Sequence, residues 1–136
     1  MVDESSYGII PVYKDEAGGL EVLLVKCSWY WWFPKWHPEP WETIIQTALR
    51  ELQEETWIQN IVVDEVHKFE EHYTFMDQTY LVHKYVCYFV GIVSTQEVVI
   101  DPIEVQDYIW VPIQNAKDVL TYDSNKKLLD EAMSVL

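Results

Sequence analysis

Apolar residues in this chain fall mostly into short runs that alternate or continue with strand-like spacing, interrupted once by a clear helical period. Residues 7–12 and 20–27 are β-rich runs on either side of Asp15-Glu16-Ala17-Gly18-Gly19, which reads as a hairpin. Residues 28–40 form a Pro- and Trp-rich loop. Ile45, Ala48, Leu49 and Leu52 then follow at i, i+3, i+4 and i+7, predicting a helix that starts near Trp41 or Glu42, with Glu42 and Thr43 in its first turn. Residues 61–66, 68–75 and 81–93 predict strands, with Met76-Asp77-Gln78 as a turn and the third run long enough to cross a sheet. Residues 105–111 predict another strand. A short helical piece over 115–120 and a closing helix over 124–135 complete the pattern, the latter with Leu128, Leu129, Ala132 and Val135 apolar and Ser124 as its cap.

A helix after a hairpin, mixed strands and a helix at the end predict an α/β fold, an α/β/α sandwich around a mixed sheet. The 136 residues make a single domain, 1–136, large enough for a core without staples. No stretch approaches the roughly 18 consecutive apolar residues of a membrane span, and the first residues are acidic, so a cytoplasmic protein is expected. Cys27 and Cys87 have no metal-type or redox-type spacing and read as buried reduced thiols.

A net charge of -14 disfavours nonspecific binding to nucleic acid or to an anionic membrane, since like charges repel. A small phosphorylated substrate would need a cation. The helix offers a place for one: Glu51, Glu54 and Glu55 stand at i, i+3 and i+4 and crowd three carboxylates together. A bare acidic run of this kind is usually a solvated face. Here Glu42 and Arg50 lie nearby, and Glu104 adds an acid downstream. A hard divalent cation such as Mg²⁺ or Mn²⁺ takes oxygen ligands and keeps waters for substrate phosphates, and it would relieve the repulsion.

The segment from Trp36 through Glu42, Arg50-Glu51-Leu52-Gln53-Glu54-Glu55-Thr56-Trp57-Ile58, resembles the box of the Nudix family, G-x5-E-x7-R-E-U-x-E-E-x-G-U with U aliphatic. Every position agrees except the two glycines, written here as Trp36 and Trp57. Trp41 stands where relatives read Pro-Gly-Glu, and Trp29-Tyr30-Trp31-Trp32-Phe33 resembles a Gly-Tyr-Trp-Gly-Phe stretch of the family. Five of the 7 tryptophans therefore occupy glycine-like places, and glycine at all of them would raise its count from 4 to 9, near the roughly 7% usual in proteins. Glycine also suits a helix C-terminus at 57 and a tight loop at 36 and 41, where an indole is expected to be strained. One reading is a source that decodes UGA as glycine, translated with a table that reads it as tryptophan, leaving Trp31 and Trp110 as genuine. The other is that all seven are real and pack or stack as tryptophan ordinarily does.

The resemblance implies the Nudix fold and metal-dependent hydrolysis of a nucleoside diphosphate linked to another group. It implies a metal held by Glu51, Glu54, Glu55, Glu104 and the backbone carbonyl of Trp36, with Arg50 orienting the carboxylates and Glu42 as its ion partner. Glu54 is the chosen general base; Glu51 or a loop acid stays open. Within the family, residues 33–39, 104–112 and 120–122 look like asymmetric diadenosine tetraphosphate hydrolases, which yield ATP and AMP. That likeness maps phosphate-gripping lysines onto Lys35 and Lys84 and base-stacking tyrosines onto Tyr73 and Tyr122, with His37 near the phosphates. Each also has an ordinary reading as a surface lysine, a packing tyrosine or a hydrogen-bonded histidine. Two alternatives remain: a Nudix pyrophosphohydrolase acting on a modified nucleoside triphosphate or an RNA 5′ end, and a catalytically silent Nudix-fold binding module. The partner expected in the leading reading is a small nucleotide, with the protein a monomer or homodimer.

Overall fold

The hairpin forms where its turn residues place it. Strands β1 (Val2–Lys14) and β2 (Leu20–Cys27) pair antiparallel with Lys14 opposite Leu20. Asp15 closes the turn: its Oδ1 accepts from the amides of Ala17 at 2.9 Å and Gly19 at 2.8 Å, while Gly18 takes φ +87°, a conformation that favours glycine. The computed structural model describes residues 1–36 and 38–136; His37 and the side chain of Trp36 lie outside the described residues.

The loop over 28–40 is not featureless, because two very short strands, β3 (Tyr30–Trp32) and β4 (Lys35–Trp36), pair with β2 and β1. Helix α1 spans Ile44–Thr56, starting later than the sequence pattern suggests. Thr43 and Gln46 form a reciprocal capping box, with Gln46 N to Thr43 Oγ1 at 3.2 Å and Thr43 N to Gln46 Oε1 at 2.9 Å. Residues 39–42 are turned back instead, Glu42 N donating to Glu39 O at 3.0 Å.

Strands β5 (Ile61–Val63), β6 (Phe69–Asp77), β7 (Tyr80–Val93) and β8 (Asp107–Pro112) follow. A 3₁₀ turn (Ile113–Asn115) leads into helices α2 (Ala116–Val119) and α3 (Asp123–Met133). Ser124 does not cap α3: the capping position is Tyr122, which makes no side-chain capping bond. The sheet runs β3-β2-β1-β7-β5, with β8 on β2, β6 on β7 and β4 on β1. It is mixed, since β1 and β7 are parallel from Val2 opposite Val82 to Tyr13 opposite Val93 while the other pairs are antiparallel.

Strand alternation sends successive side chains to opposite faces. Ile9, Leu23, Cys87 and Phe89 meet Ala48 and Leu52 of α1 on one face. Ile10, Val12, Val22, Leu24, Val86 and Tyr88 meet Leu128, Leu129 and Ala132 of α3 on the other. The expected three-layer sandwich results, with α1 and α3 on opposite faces. Among the described residues no helix is long and apolar enough to cross a membrane.

Candidate active site

Helix α1 turns Thr47, Ala48, Glu51, Leu52 and Glu55 inward, so two acids share the stripe that packs on the sheet. The segment after β7 brings a third. Val99 N bonds Thr56 O at 3.1 Å and Asp101 N bonds Glu55 O at 3.3 Å, fastening this segment to the end of α1. Asp101 then organises its own turn through Ile103 N to Oδ1 at 3.0 Å and Val105 N to its carbonyl at 2.8 Å, which sets Glu104 against the helix. Carboxylate oxygens of Glu51, Glu55 and Glu104 lie within 4.8 Å of one another.

Burial and mutual repulsion mark this cluster. Burial, opposed by Arg50, raises Glu51 from its ordinary 4.5 to about 7. Burial, reinforced by Glu51 and Glu104, raises Glu55 from 4.5 to about 9, and its buried Oε2 has no hydrogen-bond partner. Glu104 is also shifted up, by burial and then by Asp101. A crowded, under-satisfied cluster of carboxylate oxygens of this kind fits a hard divalent cation, which would displace the protons that burial favours. The residues present therefore suit the metal that the sequence implies.

Arg50 ties the remaining acids together. Its Nε and Nη2 grip both oxygens of Glu42 at 2.6 and 2.9 Å, and its Nη1 reaches Glu51 at 2.5 Å and both oxygens of Glu54 at 3.2 Å. The guanidinium beside Glu42 holds that carboxylate down at about 2. Glu54 lies outside the close triad and faces solvent, its side chain 49% exposed. Glu51 and Glu55 share the buried stripe of α1, whereas Glu54 projects beside it and is bonded there by Arg50. The acids brought together are thus Glu51, Glu55 and Glu104, with Glu54 adjoining through Arg50.

On the other face of the sheet, Lys35, Lys84, Tyr73 and Tyr122 come from β4, β7, β6 and the start of α3 to line one cavity of about 460 Å³. Lys35 is buried, donates to Tyr73 Oη at 3.0 Å and lies 4.2 Å over the Trp32 ring. Burial, opposed by Glu71, lowers its pKa to about 8. Lys84 is buried too, with Glu4 at 3.7 Å. Sequence reasoning missed Tyr30, Glu71 and Asn125 in this lining. Period-two alternation along β6 was the available signal, since Glu71 and Tyr73 must share a face. His37, expected near the phosphates, lies outside the described residues, and Trp36 is described only through its backbone pairing with Tyr7.

The tryptophans divide. Trp31 and Trp110 pack against the two core clusters. Trp29, Trp41 and Trp57 are 68%, 78% and 62% exposed. Trp57 caps α1 at φ 62°, ψ 12°, the left-handed conformation expected there, and its amide bonds Gln53 O at 2.8 Å. Trp41 has no positive φ, so the strain expected at that position is absent.

Comparison with known proteins identifies relatives of this chain. The NUDIX domain profile matches residues 4–132. The chain is 33% identical over 102 residues, 75% of its length, to a mutator-type protein, MutT4, of Mycobacterium tuberculosis; it spans only 40% of that relative. It is 31% identical over 134 residues to the asymmetrical bis(5′-nucleosyl)-tetraphosphatase of Sus scrofa, covering 94% of this chain and 87% of the relative. The crystal structure of a C. elegans Ap4A hydrolase binary complex superposes with a TM-score of 0.82 at 25% identity, covering 97% of this chain and 96% of that one.

Proposed function

Because the chain belongs to the Nudix hydrolase family, we propose that it hydrolyses a phosphoanhydride bond in a nucleotide, and that its substrate is diadenosine tetraphosphate, cleaved asymmetrically to ATP and AMP. The observation that carries this reading is the pairing of a three-carboxylate cluster, two of its acids buried and the third exposed at its mouth, with a separate cavity holding two lysines among aromatic rings. The names of the Sus scrofa and C. elegans relatives point to the same substrate.

In this reading Glu51, Glu55, Glu104, Glu54 and the carbonyl of residue 36 hold Mg²⁺ or Mn²⁺. When bound, the cation supplies charge neutralisation at phosphate oxygens and acidifies water. Arg50 orients Glu51 and Glu54. Glu54, exposed beside Arg50, accepts the proton of the attacking water. Lys35 and Lys84 face the polyphosphate, and Tyr73 and Tyr122 stack on a base. Residues 29, 32, 36, 41 and 57 are read as glycines of the natural protein, recoded from UGA. The left-handed backbone at Trp57 and the exposure of Trp29 and Trp41 support this.

The test is the product pattern from diadenosine tetraphosphate with Mg²⁺, for this chain and for a version with glycine at those five positions. ATP plus AMP from either supports asymmetric cleavage. Two molecules of ADP, or no cleavage by both, refutes the substrate assignment. Cleavage by the glycine version alone identifies the indoles as an obstruction.

A further inference from the structure

The cavity holds a carboxylate that neither the metal cluster nor the phosphate-binding lysines account for. Glu71 lies on β6 opposite Val86, 7% exposed, and lines the cavity beside Tyr73. Burying an ionised carboxylate is costly unless its oxygens are hydrogen-bonded or paired. Glu71 is poorly served: Asn125 Nδ2 reaches its two oxygens at only 3.4 and 3.3 Å. Among the described residues no lysine or arginine pairs with it. Lys35 instead donates to Tyr73, and Lys84 lies nearest Glu4.

A carboxylate has about four lone-pair sites, so Glu71 retains unused acceptor capacity inside a cavity walled by rings. Tyr30 and Tyr122 stand 5.6 Å apart there, and Tyr73 lines the same cavity. Such walls suit a flat ligand. A flat ring that displaces solvent from Glu71 must bring its own N–H donors to the oxygens it covers. The cavity's formal charge points the same way. The lining offers Glu4 and Glu71 beside Lys35 and Lys84, so a ligand there meets acceptors as well as cations.

We infer that Glu71 is a specificity-determining residue that reads the N–H edge of an amino-purine base stacked in this cavity, with Asn125 steadying its carboxylate. The inference rests on the proposed assignment of the cavity to a nucleoside end of the substrate. Adenine offers its exocyclic amine, and guanine its ring N–H and amine; an unsubstituted purine offers neither. A role as mere counter-charge for Lys35 would explain the burial of Glu71 but predicts no dependence on the ligand's amino group.

The test avoids catalysis altogether. Adenosine, guanosine and unsubstituted purine riboside are titrated against the whole chain in EDTA, followed by intrinsic fluorescence, and the titrations are repeated with Glu71→Gln. Hydrogen bonds to a charged acceptor predict that the two amino-purines bind about 10-fold or more tightly than purine riboside. Glu71→Gln should bring the three within about 3-fold while leaving purine riboside unchanged. Equal binding of all three by the unaltered chain overturns the inference without needing the variant to fold. Equal weakening of all three by Glu71→Gln also overturns it, since that is the structural outcome. Failure to cleave diadenosine tetraphosphate with discrimination intact would refute the proposed substrate and leave this inference standing.

Discussion

Trp57→Gly should cost the protein little, although it deletes the largest side chain. The residue sits at φ 62°, ψ 12°, where an L-amino acid pays about 1–2 kcal/mol in contact between Cβ and the carbonyl. Glycine removes that strain and keeps the capping bond from its amide to Gln53 O at 2.8 Å. Against this, glycine gives the unfolded chain extra freedom, worth about 0.4–1 kcal/mol. The indole is 62% exposed, and its covered part, on the order of 50–100 Å², is worth about 1–2 kcal/mol. Strain relief offsets most of this, leaving a loss of about 0–1 kcal/mol, or at most roughly 4 °C in Tm for a domain of this size. Trp41→Gly is the internal control. Trp41 is 78% exposed, so it has less contact to lose, but it has no positive φ and glycine relieves nothing there. That variant should lose about 1–2 kcal/mol. Far-UV circular dichroism in urea and EDTA measures both without relying on tryptophan fluorescence. A Trp57→Gly variant that loses as much as Trp41→Gly, or more, would refute the strain argument.

Two further outcomes follow from the acid cluster. Burial lifts Glu55 to about 9 and Glu51 to about 7, so between roughly pH 4.5 and 9 the folded metal-free protein binds more protons than the unfolded chain. Its stability should therefore fall as pH rises through that window, and saturating Mg²⁺ should flatten the decline; a Tm in EDTA that is level or climbs would contradict the placement of these carboxylates. Arg50→Lys keeps the charge but cannot hold Glu42 at two points while also reaching Glu51 and Glu54. Cleavage should slow in kcat by on the order of 100-fold with little change in KM, and a loss below about 10-fold would show that the carboxylates orient themselves.

The sheet was readable where side-chain alternation and turn chemistry coincide. Strand β2 begins and ends at the expected residues because Asp15 and Gly18 fix the turn before it. Strand β1 runs further towards the N-terminus than its apolar pattern, since Asp3, Glu4 and Ser5 owe their extended form to pairing with β7 and not to their own propensity. Strands β3 and β4 are too short to carry a period and exist because the stretches of β2 and β1 beyond their mutual pairing receive them. The box spacing located Glu51, Glu55, Arg50 and Glu42, and Glu104 was visible only through resemblance, as its approach depends on the backbone bonds of residues 99–105. Glu71 escaped notice because the pair Glu70-Glu71 in an alternating strand looks solvated; only the arrival of α3 and β4 beside Glu71 makes that position interior.

The parallel pairing of β1 with β7 also constrains the order of assembly. Val2 meets Val82 and Tyr13 meets Val93, so β1 is an interior strand whose parallel neighbour appears some eighty residues later. The β1-β2 hairpin and α1 can organise early, but both faces of the sheet stay incomplete until the chain has passed residue 93. Closing so long a loop places this fold among the slower class of mixed sheets, in the range of milliseconds to seconds. During that interval β1 presents an unpaired edge, and its polar first residues, Asp3 and Glu4, are the part of it least inclined to join another chain.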